Sequence, residues 1–254
     1  MAPRLYALTC GRIEMSLGLL RAGERGRRLV VPVPSFVVLH PRGAAVFDSG
    51  LHRATQRDPE ARLGELARIF RVRFAPGEEL GAQLARLGID AGAVRWLVSS
   101  HLHFDHVGGN AELPNARWVV QRREWEAACD PEQRARFAYD PRDYDLGHDR
   151  LLVDGEHDLF GDGTVCCLPS FGHTRGHQSL RVRLASGDVV LTADACYLRR
   201  SLDDGVLPPL AHDHDEQRAS LAKLRALRDA GARLVFGHEP EGWESRPERA
   251  AEIV

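Results

Sequence analysis

The sequence predicts an α/β (α+β) fold in which two mixed sheets lie between helical layers, and three observations lead there. Strand-like runs come first, then helices mixed with strands, then strands and a helix again, which is the order of a layered sandwich. Apolar residues make up 43% of a 254-residue chain, enough for a substantial core. Residues of metal-ligand type stand just past several strand-like runs, where a rigid scaffold commonly presents functional side chains. One compact domain over 1–254 is expected.

Taken in order, Val30 to Leu39 and Ala44 to Gly50 read as two strands around a Pro-Arg-Gly turn at 41–43. Pro59 to Val72 and Gly77 to Leu87 carry apolar residues at helical spacing, among them Leu63, Leu66, Ala67 and Phe70, then Leu80, Leu84 and Leu87. Gly88 stops the second helix. A short buried strand follows at 94–98 and another at Arg117 to Gln121. Residues 122–150 begin helically and then turn irregular, carrying Trp125, Phe137, Tyr139 and Tyr144. An insertion of that length is often a lid, and its rings would equally serve to pin a long loop onto the core. Thr164 to Leu168, Gln178 to Leu184 and Asp188 to Thr192 are strands, the last two joined by a Ser186-Gly187 turn. Asp213 to Ala230 is a helix, with Asp213 and Glu216 at capping-box spacing, and Arg233 to Phe236 is a final strand that delivers Gly237-His238.

Composition removes several functions. A net charge of −2 lacks the concentrated positive field that nucleic acid binding requires, and the basic run Arg21 to Arg28 reads as a solvated loop. Five cysteines, odd in number and without a C-x-x-C pair, suggest neither a disulfide framework nor a zinc knuckle, and reduced thiols fit a cytoplasmic protein. Neither an export signal nor a membrane-length apolar run is present, so no membrane partner is expected. No G-x-S-x-G elbow, P-loop or H-E-x-x-H helix supports serine-hydrolase, nucleotide or zincin chemistry.

The richest stretch is Ser99-Ser100-His101-Leu102-His103-Phe104-Asp105-His106-Val107-Gly108-Gly109. It places three histidines and an aspartate within six positions, in a loop at a strand's C-terminal end. Imidazoles with one hard carboxylate suit zinc and its first-row neighbours better than calcium or magnesium. Such a loop offers more ligands than one centre needs, so a second divalent metal and further ligands at other strand ends are expected. His173 (between the strands at 164–168 and 178–184), Asp194 (after Val189 to Ala193) and His238 (after Leu234 to Phe236) stand in such places. Each sits beside a glycine or alanine, as expected where backbone must approach a metal centre closely.

H-x-H-x-D-H followed by a His, an Asp and a final His, each at a strand end, resembles the metallo-β-lactamase fold superfamily. The likeness covers essentially the whole chain, from Asp48-Ser49-Gly50 to His238. Within it, Ser100 to His106, Gly172-His173-Thr174 with Gly176 to Leu180, and Leu191 to Tyr197 resemble the N-acyl-homoserine lactone lactonases. The resemblance implies a four-layer αβ/βα sandwich. It also implies one metal on His101, His103 and His173 and a second on Asp105, His106 and His238, with Asp194 and a hydroxide bridging them. Zinc is the first expectation for both, with iron, manganese or cobalt also suited. It further implies that Tyr197 contacts the substrate's carbonyl oxygen. Opening a lactone needs a nucleophile, a stabiliser for the oxyanion and a proton for the leaving alkoxide. Asp105 is the candidate for that proton.

Arg175, where relatives often have proline, and Glu239-Pro240 after His238, where an aspartate is common, depart from the pattern without removing a ligand. His177 reads as a hydrogen-bonding residue that orients a ligand. Met15, Leu17, Leu19 and Leu20 read as core packing, with an acyl-chain groove as the alternative. The expected substrate is a small lactone, and the chain a monomer or homodimer. Rival readings are a lactonase for a pyridoxine-derived lactone, a glyoxalase II-like thioesterase, and, in a different class, a metal-bound sensor or non-catalytic binding module.

Overall fold

The computed structural model describes residues 2–243 and 250–254. The chain opens with a 13-residue strand, β1 (Arg4–Ser16), and one helical turn, α1 (Leu17–Leu20), then forms the antiparallel pair β2 (Arg28–His40) and β3 (Gly43–Phe47). Where a continuous helix over 59–72 is expected, two short helices form instead, α2 (Pro59–Leu63) and α3 (Leu66–Ile69), followed by β4 (Arg71–Arg73). The break lies at Gly64, whose φ of 58° lies outside the helical region, and Arg71–Arg73 leave to pair with β1. Next come α4 (Leu80–Arg86), β5 (Trp96–Val98), α5 (Phe104–Val107) and β6 (Arg117–Gln121). The insertion holds α6 (Arg122–Cys129), α7 (Pro131–Arg136) and α8 (Pro141–Tyr144), and returns through β7 (Arg150–Val153). The second half runs β8 (His157–Asp158), β9 (Val165–Pro169), β10 (Gln178–Leu184), β11 (Gly187–Leu191), α9 (Arg199–Asp204), α10 (His214–Asp229), β12 (Arg233–Val235) and β13 (Ala251–Ile253).

One sheet has the order β13-β1-β2-β3-β5-β6-β7 with β4 beside β1, and the other β12-β11-β10-β9-β8. Both are mixed: β3, β5, β6 and β7 run parallel while β1, β2 and β3 alternate, and β12 joins an otherwise antiparallel set in parallel. Alternate residues of a strand face opposite sides, and that period builds the layers. Phe36, Val38, Trp96 and Val98 meet Val165, Cys167, Leu180 and Leu191 of the second sheet in the central core. Val37, Leu97 and Trp118 face the other way, onto Leu80 and Leu84 of α4 and Ala127 of α6. On the far side, Val190 and Leu234 pack on Leu221 and Leu224 of α10. The result is the four-layer helix-sheet-sheet-helix sandwich.

One local expectation changes. Arg21 is buried and bound to Ser201 and Asp204, so the basic run is not wholly a solvated loop. In the insertion, Tyr139 and Tyr144 are buried and Trp125 meets Trp118 edge-on, while Arg136, Phe137 and Ala138 reach the wall of a cavity. Among the described residues no helix is long and apolar enough to cross a membrane.

Candidate metal centre

The parallel strands set the site. Asp48 follows β3 and His101 follows β5, while in the facing sheet His173, Asp194 and His238 follow β9, β11 and β12. All five stand past strand C-termini, where loops at the crest of an α/β fold form binding crevices. Close packing brings these loops together. A Cβ on Gly172 would lie 2.2 Å from the backbone nitrogen of Gln217, so only glycine lets the loop before His173 seat on α10. Ala193, just before Asp194, has a φ of 43°, and Asp48 one of 56°. Non-glycine residues held there mark backbone constrained by its surroundings.

The structure brings all seven predicted ligands into two adjacent groups, His101, His103, His173 and Asp194 in one and Asp105, His106 and His238 in the other. In the first, His103 Nδ1 lies 2.9 Å from His101 Nε2 and 3.1 Å from His173 Nε2. In the second, Asp105 Oδ2 lies 3.9 Å from His106 Nε2 and 3.7 Å from His238 Nε2. Asp194 faces both groups with a different oxygen. Oδ2 is 3.6 Å from His101 Nε2 and 3.4 Å from His173 Nε2, whereas Oδ1 is 3.3 Å from both His106 Nε2 and His238 Nε2.

In four of the five rings the remote nitrogen meets an orienting partner, which fixes the face the ring presents to a metal. His106 Nδ1 donates to Asp48 Oδ2 at 2.8 Å and His238 Nδ1 to the Pro32 carbonyl at 2.9 Å, so in the neutral form of either ring Nε2 is the acceptor. His101 Nδ1 is 2.9 Å from Ser100 Oγ, and His173 Nδ1 is 3.2 Å from Tyr197 Oη. His177 lies outside both groups. Its Nε2 accepts the Asp194 backbone N–H at 3.1 Å, its Nδ1 meets Ser170 Oγ, and burial pushes its pKa down to about 3.

The electrostatics of the two groups differ. Burial first, then the neighbouring rings, drives His101 and His173 well below the usual imidazole range, and burial also lowers His103. Neutral imidazoles are the form that binds metal. Burial opposes charge on His106 and His238 too, but Asp194 and Asp105 outweigh it and raise both. Asp194 is carried well below the carboxylate range, burial being overcome by His106 and His238. Buried His106 Nε2 and Asp194 Oδ1 have no hydrogen-bond partner, although buried polar atoms normally have one. Two such atoms 3.3 Å apart, within a set of imidazole and carboxylate donors, fit a divalent cation.

Above these groups opens a cavity of about 350 Å³ with largely apolar walls. Met15, Leu19 and Leu20 line it, so part of the N-terminal apolar run serves the cavity, while Leu17 packs in the core beside it. Leu66, Phe70, Phe104 and Phe137 add to the walls, and the exposed Ile69 and Leu210 also line it. Asp105, Asp194, His238 and Tyr197 face the same space. Burial, then the charges of Asp194 and Asp105, raises the Tyr197 phenol well above its usual pKa, so it remains a donor. Two residues that support the site carry no ligand signal in the sequence. Asp48 marks the first motif of the resemblance, yet its bond to His106 is visible only in the fold. Glu124 lies on an ordinary short helix and has no sequence signal at all.

The sequence model of the Metallo-beta-lactamase superfamily matches residues 28–238. The chain is 36% identical over 250 residues to an N-acyl homoserine lactonase, AttM, of Azorhizobium caulinodans, covering 95% of each chain. It is 28% identical to an N-acyl homoserine lactonase of Bacillus thuringiensis, over 94% of each. A solved N-acyl homoserine lactone hydrolase, with the product N-hexanoyl-L-homoserine bound at the catalytic metal center, superposes with a TM-score of 0.85 at 26% identity over 95% of each chain.

Proposed function

The chain belongs to the metallo-beta-lactamase superfamily, and from that footing we propose that it is a metal-dependent lactonase that hydrolyses the ring of N-acyl homoserine lactones. The observation that carries this reading is the apolar cavity ending on the histidine-aspartate groups with Tyr197 beside them. Its walls suit an aliphatic acyl chain, and its inner end presents the polar groups that ester hydrolysis needs. Among the described residues Arg136 is the sole basic side chain other than histidine that lines it, so those residues offer no cluster of cations to hold the carboxylates of a glutathione thioester.

His101, His103 and His173 would hold one divalent cation and Asp105, His106 and His238 the other, with an Asp194 oxygen facing each group. These donors suit zinc first, and iron, manganese or cobalt next. When bound, such a pair supplies a water of lowered pKa and Lewis-acid polarisation of the ester carbonyl. The chain's own groups do the rest. Tyr197 Oη donates to the carbonyl oxygen as it gains negative charge, a preorganised contact in a site screened from water. His173 Nδ1, 3.2 Å away, fixes that hydroxyl's position. Asp105 lines the cavity and is placed to take the proton that the attacking water loses and to hand it to the alkoxide released when the ring C–O bond breaks, so the product is a hydroxy acid. The hydrophobic walls orient the acyl chain and exclude water from the Tyr197 contact.

The test is a hydrolysis screen of zinc-loaded protein with homoserine lactones of several acyl lengths, an aromatic lactone, a glutathione thioester and a β-lactam. Turnover of the homoserine lactones is expected, with KM falling roughly fourfold per added methylene until the cavity is full, since each buried CH₂ is worth about 0.8 kcal/mol. Turnover of the thioester alone overturns the reading.

A further inference from the structure

Glu124 lies in the first turn of α6 and is fully buried. It has no ion-pair partner among the described residues. Its carboxylate instead gathers donors from three separate segments. Oε1 accepts the Leu102 backbone N–H at 3.1 Å and the Tyr139 hydroxyl at 2.9 Å, and Oε2 accepts the Gly176 backbone N–H at 2.8 Å. Leu102 stands between His101 and His103, and Gly176 is three residues past His173. The Tyr139 ring lies 5.6 Å from the His103 ring. Contact with the second of these loops is direct: a Cβ on Gly176 would fall 2.2 Å from the backbone nitrogen of Glu124 and 2.7 Å from its Cα. One carboxylate thus ties together the loops that carry His101, His103 and His173.

Two features separate this from ordinary packing. The Leu102, Tyr139 and Gly176 groups all donate, so the carboxylate must accept on both oxygens, which an amide cannot do. A buried charge without a countercharge costs several kcal/mol unless something compensates it. Burial indeed raises this carboxyl's pKa, and the Thr174, Gly176, Tyr139 and Leu102 hydrogen bonds work against that. The positive charge nearest in function is the cation that three neutral imidazoles would hold. The other group of ligands is served by different partners, Asp48 for His106 and the Pro32 carbonyl for His238.

We propose that Glu124 is the positioning residue of the His101-His103-His173 half-site, fixing its geometry and balancing its cation while leaving the Asp105-His106-His238 half-site to its own supports. This rests on the metal-dependent reading above. Groups that orient metal ligands typically change affinity by about 10- to 100-fold when replaced. The effect should fall on one of two bound metals, which a merely structural glutamate would not do.

The experiment titrates zinc-loaded wild type and Glu124→Gln against a chromogenic chelator, with thermal unfolding recorded on the same samples. Wild type should release two equivalents. Glu124→Gln should give up one of them about 10- to 100-fold more readily and hold the other within about threefold. In the cobalt-substituted protein, the visible spectrum of one ion should change and that of the other persist. Tyr139→Phe removes one donor without disturbing the buried charge, so it should weaken the same equivalent by a smaller factor, and it decides the matter if Glu124→Gln does not fold. Two unchanged equivalents, or both weakened alike, overturn the proposal. A wild-type protein that takes up no zinc overturns the metal-dependent reading itself, a failure seen before any variant is compared.

Discussion

Replacing Asp48 by asparagine should disable the second half-site through a single proton. Asp48 Oδ1 accepts the Ser100 N–H at 2.7 Å, while Oδ2 accepts Ser100 Oγ at 2.8 Å and His106 Nδ1 at 2.8 Å. Its φ of 56° is one that asparagine adopts readily, so the backbone should hold. An amide, however, has only one acceptor oxygen. Turned toward Ser100 N–H, it offers its NH₂ to His106 Nδ1, which must then accept and move its proton to Nε2. That atom faces Asp194 Oδ1 at 3.3 Å, so the wrong tautomer is locally stabilised and the metal-facing lone pair is lost. Turned the other way, the NH₂ meets the Ser100 N–H, two donors in contact. Either arrangement forfeits a hydrogen bond to a charged group, worth about 1.5–3 kcal/mol. At about 1.4 kcal/mol per decade, that is roughly a 10- to 100-fold loss of affinity. Chelator competition on Asp48→Asn should show one weakened equivalent, with turnover falling at least in proportion at limiting zinc. Two equivalents held as tightly as in wild type would refute the tautomer argument.

Two further outcomes are expected. Tyr197→Phe should keep both metals and lose about 10- to 1000-fold in kcat, by analogy with removing one oxyanion donor, whereas unchanged kinetics would reduce Tyr197 to an anchor for His173. In the clasp between α2 and the insertion, burial would raise the Asp140 carboxyl, but bonds from Arg142 and Arg62 hold it down to about 2. A folded pKa below the unfolded value of about 4 stabilises the fold above that pH and ceases to do so as pH falls through about 2. Asp140→Asn should therefore show a lower urea midpoint than wild type at pH 6 and converge with it near pH 2, and a gap independent of pH would count against the clasp.

The two histidine-aspartate groups were legible in the sequence because four of their residues share six consecutive positions and the other three each follow an apolar run that reads as a strand. The layered order was legible for the same reason, since period-2 and period-3.6 stretches alternate clearly after residue 28. The long opening strand was not. Residues 5–11 are buried on both faces, so no alternation marks them, and Thr9, Gly11 and Arg12 interrupt the apolar run. Helix spacing over 59–72 was real, yet one glycine with positive φ sufficed to divide it. Arg21 looked solvated because its partners, Ser201 and Asp204, are some 180 residues away in sequence. Supporting residues fail to announce themselves for a similar reason. A glutamate in the first turn of a helix is what the helix dipole favours anyway, so nothing local distinguishes Glu124 from an exposed one.

What joins the site to the fold is that its two halves rest on different layers. His106 is oriented by Asp48 at the end of β3, and His238 by the carbonyl of Pro32 in β2, both in the first sheet. The loops of His101, His103 and His173 are tied instead by Glu124 at the start of α6, with Tyr139 of the insertion completing that contact. Asp194, delivered from β11 of the second sheet and held by His177 through its backbone, is the one of the seven grouped donors that faces both halves, an oxygen to each. Distortion at Glu124 reaches the second half through Asp194 and the shared loop 101–106, and Asp48 also touches the first half through Ser100, whose hydroxyl lies 2.9 Å from His101 Nδ1. Because Asp48 contacts His106 directly and Glu124 ties the loops of His101, His103 and His173, Asp48→Asn and Glu124→Gln should each weaken chiefly a different equivalent, whereas a substitution at Asp194 should weaken both.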